Sequence, residues 1–136
     1  ESESRGLGDV YKRQILTNRY LYGLGFVRLG FWREKGHLDM KTMTMVRFKP
    51  KPEYFDQFVD ALKSSVPNSY ILTRDEEVLE IWLKDSVDEL AEQQPGALDW
   101  LDRHRYMLEE YSPEEGHTRP FTAFVEQEPS YIKRGD

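Results

Sequence analysis

The hydrophobic period of the sequence changes several times after residue 41, and the order of these changes constrains the fold more than any other feature. Residues 42–50 (TMTMVRFKP) alternate in polarity and end at Pro50, as an extended strand does. Residues 51–66 instead carry one apolar stripe at helical spacing, made of Phe55, Phe58, Val59 and Leu62. A strand followed by an amphipathic helix is therefore predicted.

The rest of the chain repeats this pattern in a different order. Residues 70–84 alternate on both sides of an acidic turn, which predicts a β-hairpin. Asp85 or Ser86 can cap a second helix, which Pro95-Gly96 interrupts and which resumes as far as Tyr111. A last strand is predicted over residues 121–127. The predicted order is β-α-β-β-α-β.

This order predicts an α+β fold of the ferredoxin-like type, a four-stranded antiparallel sheet with both helices on one face. We expect Leu79, Ile81 and Leu83 to face the core. The uncovered face is then expected to carry Met45, Arg47, Tyr70, Leu72, Arg74, Glu80, Trp82 and either Phe121 or Phe124. A face so rich in aromatic residues is typical of an interface, so a homodimer through this face is predicted, with Met45, Tyr70, Arg74 and Glu80 in contact.

Three segments are predicted: residues 1–39, a domain over 40–128, and a polar tail over 129–136. The first segment has no sustained period, and its GLGDVYKRQ string resembles translated sequencing-adapter DNA found in metagenomic proteins. We interpret it as non-native or translated upstream sequence, disordered or arm-like. The alternative is a native arm that packs Phe26, Phe31 and Trp32 on the domain.

Composition excludes several classes of protein. The net charge of −6 argues against a nucleic-acid partner, and no apolar run approaches the roughly 20 residues of a membrane helix. The chain has no cysteine, which is compatible with a reducing cytoplasm, where we expect it to be located. The three histidines lack metal-ligand spacing, and no phosphate-binding loop occurs, so no metal or other cofactor is predicted.

Two stretches carry a resemblance to a known family. MVRFKPKPEYFDQFVDAL (45–62) and EVLEIWLKDSVDEL (77–90), together with the helix break at Pro95, resemble antibiotic-biosynthesis-monooxygenase-type domains of the dimeric α/β-barrel superfamily. The resemblance covers residues 42–128. It implies homodimers whose sheets pair into a barrel, ligand clefts between sheet and helices, and, in some members, cofactor-independent oxygenation of quinol-like aromatic compounds. Heme degradation is not implied, because the first strand lacks the asparagine of that branch.

The resemblance leaves two functions open. The first is a cofactor-independent monooxygenase acting on an aromatic or quinol-like metabolite. His104 is the candidate base, since its ordinary pKa of about 6.5 suits proton abstraction. Arg47, Trp82, Trp100 and Tyr54 would then contact the ligand. The alternative is a non-catalytic dimeric ligand-binding or interaction module, favoured because Ala91, Glu92 and Gln93 occupy the region where members often carry a histidine.

Overall fold

A computed structural model describes residue 36 and residues 39–131 of the protein. The predictions made for residues 1–35, 37–38 and 132–136 lie outside this part of the chain. Within it, no helix is long and apolar enough to cross a membrane.

The sheet has four antiparallel strands, β1 (Thr42–Phe48), β2 (Tyr70–Arg74), β3 (Glu77–Lys84) and β4 (Thr118–Phe124). Their order across the sheet is β2-β3-β1-β4. This order and the helices between the strands confirm the ferredoxin-like α+β fold. The turn between β2 and β3 is tight, and Asp75 adopts a left-handed conformation in it with φ of 53°.

Three helices connect the strands. Helix α1 (Phe55–Ser65) follows a 3-10 turn that begins at Pro52, a residue suited to a first helical turn because it has no N–H to leave unpaired. The second helical stretch is divided, as predicted, into α2 (Val87–Glu92) and α3 (Gln94–His104), but the break is at Gln93, and Pro95 and Gly96 lie in the first turn of α3. The Ser86 side chain caps α2 by accepting a hydrogen bond from the Glu89 N–H over 3.2 Å.

The prediction that α3 continues to Tyr111 is wrong. The helix ends at His104, a 3-10 turn follows, and Leu108 forms an isolated antiparallel bridge with Pro50. Backbone hydrogen bonds of 2.8 Å run from Lys51 N–H to Met107 C=O and from Glu109 N–H to Lys49 C=O. Pairing with the chain after β1 therefore replaces the helix, and the last strand begins at Thr118 rather than at residue 121.

The register corrects the predicted faces of β3. Val46 pairs with Glu80 and Thr44 pairs with Trp82, so Glu80 and Trp82 share the helix-covered face with Val46. Leu79, Ile81 and Leu83 lie on the open face instead. Alternation along one strand shows which residues share a face, but only contacts with the helices determine which face is covered.

The core lies between the sheet and the helices. Phe48 of β1 packs on Phe58 of α1 with ring centroids 5.0 Å apart, and both side chains are fully buried. Twelve hydrophobic residues form this cluster: Val46, Phe48, Phe58, Leu62, Val78, Trp82, Val87, Leu90, Ala91, Leu101, Met107 and Leu108. The α1 stripe predicted from the sequence thus packs against the sheet, with Phe58 and Leu62 at its centre.

Candidate ligand cleft

A cleft of about 550 Å³ opens at one end of the sheet–helix interface. It lies between the end of α1 with the loop that follows, strand β3, and the junction of α2 and α3. Its lining comprises Leu62, Ser65, Val66, Pro67, Asn68, Ser69, Glu80, Trp82, Leu83, Lys84, Glu92, Gln93, Gly96, Ala97, Trp100 and Arg103. The volume is sufficient for a small organic molecule.

Glu80 is the most unusual residue of the cleft. Its side chain projects from the centre of β3 toward the helices and is only 6% exposed. The Ser69 hydroxyl donates a hydrogen bond of 2.9 Å to its Oε2. Burial raises the pKa of this carboxyl group to about 7, because desolvation penalises the charged form more than the Ser69 hydrogen bond favours it. Glu80 can therefore hold or accept a proton near neutral pH.

Trp82 lies two residues further along the same strand face and is 7% exposed. Its indole Nε1–H is buried and has no hydrogen-bond acceptor among the residues that the structure describes. An unpaired buried donor costs about 1–3 kcal/mol, so native proteins seldom leave one. Glu80 and Trp82 thus line the cleft from the same face of β3, one with a titratable carboxyl group and the other with an indole ring.

Trp100 forms the helical wall of the cleft and is positioned by three neighbours. Its Nε1–H donates a 2.7 Å hydrogen bond to the Ser65 hydroxyl, and Phe58 meets it edge to face. His104 stacks on it with ring centroids 4.1 Å apart. The His104 Nδ1–H donates to the Trp100 carbonyl over 2.7 Å, which fixes the orientation of the imidazole ring. His104 therefore lies behind Trp100 and is not part of the cleft lining.

The other two residues predicted to contact a ligand lie elsewhere. Arg47 is on the open sheet face, where it forms an ion pair with Glu77. Its Nη2 donates to both carboxylate oxygens of Glu77, over 2.9 and 3.0 Å. Tyr54 precedes α1 and meets Tyr106 edge to face at 5.4 Å. The structure thus brings Trp82 and Trp100 into one cleft and separates Arg47 and Tyr54 from them.

Of the residues predicted to contact a second chain, three are on the open face. Tyr70 and Arg74 are exposed, and Met45 is half-buried beside Phe121 of β4. Glu80 is not on this face, because it pairs with Val46 and is covered by helices. A second depression, of about 450 Å³, lies on the open face and is lined by Met45, Arg47, Glu114, Glu115, Arg119, Pro120 and Phe121.

Sequence reasoning missed Glu80 as a proton acceptor, and missed Ser69 and Lys84 altogether. A signal was present, since Glu80 alternates with Val78 and Trp82, two residues that a covered face would accommodate. For metals, the described residues contain no group of three or more acidic or histidine side chains that could hold an ion.

Comparison with known proteins finds solved structures that resemble part of the chain. No protein-family model and no curated protein matches the chain. A putative antibiotic biosynthesis monooxygenase from Chloroflexus aurantiacus J-10-fl matches 65% of this chain and 96% of its own length, at 11% identity and a TM-score of 0.47. A NIPSNAP family protein of unknown function from Agrobacterium tumefaciens str. C58 matches 65% of this chain and 91% of its own length, at 13% identity and a TM-score of 0.44.

Proposed function

We propose that the domain binds a small aromatic hydroxyl compound in the cleft and that Glu80 accepts the proton of its hydroxyl group. The observation that carries this proposal is the placement of a buried carboxyl group, with a pKa of about 7, beside two tryptophans in a cavity of ligand size. Perturbed titratable groups in an apolar cleft are typical of sites that handle protons.

The lining suits an aromatic ring with one polar end. Leu62, Val66 and the indole rings of Trp82 and Trp100 provide apolar surface. A ligand hydroxyl can donate to the Glu80 carboxylate, while the aromatic ring of the ligand packs against the two tryptophan rings.

Proton transfer to Glu80 would prepare the ligand for reaction with oxygen. A hydroquinone that loses its proton becomes an electron-rich anion, which can pass an electron to O₂ without a metal or flavin. Overall, one hydroquinone and one O₂ would give one hydroxyquinone and one water, so that one oxygen atom enters the substrate. We propose this cofactor-independent monooxygenation as the reaction of the cleft.

Glu80 and His104 are the two candidate bases, and the geometry favours Glu80. Glu80 lines the cleft, whereas His104 contacts it only through the ring of Trp100. If Glu80 is the base, Glu80→Gln should lower the rate of oxygen uptake about 100-fold or more, and His104→Ala should lower it much less. Glu126→Gln, an exposed glutamate after β4, is the matched control.

The experiment is oxygen uptake with a panel of hydroquinones, together with product analysis for hydroxyquinone. Equal rates in Glu80→Gln and in the wild-type protein would remove Glu80 from the mechanism, and a large loss in His104→Ala alone would assign the base to His104. Variants are compared at equal folded fraction, checked by circular dichroism.

The second candidate function is ligand binding without turnover. The observation in its favour is the hydrogen bond from the Ser69 hydroxyl to one oxygen of Glu80. A carboxyl group held in this way can position a ligand without taking a proton from it. Under this alternative, hydroquinones bind in titration calorimetry, binding depends on Glu80, and no oxygen is consumed.

We further propose that the open sheet face pairs with a second copy of this chain. The face exposes large apolar side chains, among them Tyr70 at 65% and Phe121 at 53%. In a dimer with a two-fold axis, the open faces of the two copies contact each other. The apolar side chains of each copy would then be covered by the same side chains of the other. Arg47 and Glu77 are already paired within the chain and would enter such an interface without an unpaired charge.

A further inference from the structure

Two cations line the cleft and have no anionic partner within the described part of the chain. Lys84 ends strand β3 on the side of Trp82, and Arg103 lies in the last turn of α3. Six of the ten lysines and arginines of residues 39–131 form ion pairs. Of the four that do not, Lys84 and Arg103 are the pair that share a cavity.

Two cations in one cavity are unexpected in a protein whose net charge is −6. The charged groups of the cleft are Glu80, Lys84, Glu92 and Arg103. Burial keeps Glu80 protonated below a pH of about 7, and Glu92 offsets only one of the two cations. The cavity of this acidic protein thus has a net positive charge while Glu80 is protonated, and its charges are balanced once Glu80 has lost its proton.

We infer that the ligand of the cleft is an aromatic hydroxy acid, with its carboxylate held by Lys84 and Arg103. This inference rests on the proposed function, in which the hydroxyl group is bound at Glu80. An arginine can hold a carboxylate through two parallel hydrogen bonds, and a lysine adds a point charge. Lys84 and Arg103 would be specificity-determining residues and would take no part in proton transfer.

The test uses matched pairs of ligands that differ only in this charge. The probes are 4-hydroxybenzoate and 6-hydroxy-2-naphthoate, each with its neutral methyl ester, titrated by calorimetry at pH 6.5. We expect each acid to bind about 25-fold more tightly than its ester, because two partly exposed ion pairs contribute about 5-fold each. This preference should decrease as salt is raised, since salt screens exposed charges.

Variants then assign the preference to residues. Lys84→Met and Arg103→Met should each reduce the preference for the acid about 5-fold while leaving affinity for the ester unchanged. Lys63→Met is the matched control, because Lys63 is an exposed and unpaired lysine of α1 outside the cleft lining.

The outcomes separate this inference from the proposal on which it rests. Equal affinity for acid and ester would overturn the inference and leave binding of hydroxyl compounds intact. A preference that survives both substitutions would also overturn it, because the carboxylate would then be held elsewhere. Failure of all four probes to bind would overturn both the inference and the proposed function.

Discussion

Replacing Glu80 by glutamine should make the protein more stable at alkaline pH, although it removes a side chain from the candidate site. Glutamine has nearly the same size and shape and can keep the hydrogen bond from Ser69. It differs in being neutral at every pH. The change therefore removes the cost of burying a charge and leaves packing on the covered face of β3 almost unaltered.

The magnitude follows from the shift in pKa. The pKa of Glu80 is raised from 4.5 to about 7 in the folded protein, chiefly by desolvation. Between these values the unfolded chain has lost the proton and the folded protein still holds it, so stability falls as pH rises through this window. At about 1.4 kcal/mol per unit, the wild-type protein loses about 3 kcal/mol between pH 4.5 and 7, and nothing further above pH 7.

The assay is urea unfolding of both proteins at pH 4, 6 and 8. We expect equal stability at pH 4 and a gain of about 2–3 kcal/mol for Glu80→Gln at pH 8. Other titrating groups, such as Glu77, are the same in both proteins and cancel in the difference. Glu126→Gln should show no such pH dependence. A Glu80→Gln protein that is less stable than wild type at pH 8 would refute the reasoning.

Three further changes test other parts of the structure. Trp82→Phe should alter the free energy of unfolding by less than about 2 kcal/mol, because loss of the unpaired indole N–H offsets the smaller ring, whereas Trp82→Ala should cost about 3–5 kcal/mol in the same urea assay. Tyr111→Phe should cost about 1–2 kcal/mol, since the Tyr111 hydroxyl donates a 2.6 Å hydrogen bond to Glu77. Phe121→Asp should convert the proposed dimer to a monomer in sedimentation, and a wild-type protein that is itself monomeric at micromolar concentration would contradict the pairing.

The order of elements could be predicted from the sequence because each segment has a clear hydrophobic period. Strand β3 and the cap of α2 depend on local patterns. The strand lies where it was predicted, and the cap is Ser86, one of the two residues predicted for it. The end of α3 could not be predicted in this way. Leu108 and Tyr111 fit helical spacing, but Leu108 pairs with Pro50, and the Tyr111 hydroxyl reaches Glu77. Contacts distant in sequence override the local period there.

The covered face of β3 was the other point that local patterns could not determine. From the sequence, Glu80 was expected to lie on the uncovered face of the sheet. Leu79, Ile81 and Leu83, which alternate with it, were expected to face the core. The structure reverses both, because Ser69 and the helices enclose Glu80 while Leu79, Ile81 and Leu83 lie on the open face. Trp82 and Trp100 both line the cleft between sheet and helices, and their contact with a ligand stays a prediction.

Glu80, whose face of the sheet was predicted wrongly, is also the residue that best suggests a function. A buried ionisable group that costs about 3 kcal/mol above pH 7 is a large fraction of a typical domain stability of about 5–15 kcal/mol. Departures from local consistency of this kind tend to occur at functional sites, where stability is lost for the sake of chemistry. If Glu80 only filled space, glutamine would serve as well at no electrostatic cost. A proton acceptor beside an apolar cleft is what glutamate provides and glutamine cannot. The same substitution should therefore stabilise the fold at alkaline pH and greatly slow the proposed reaction.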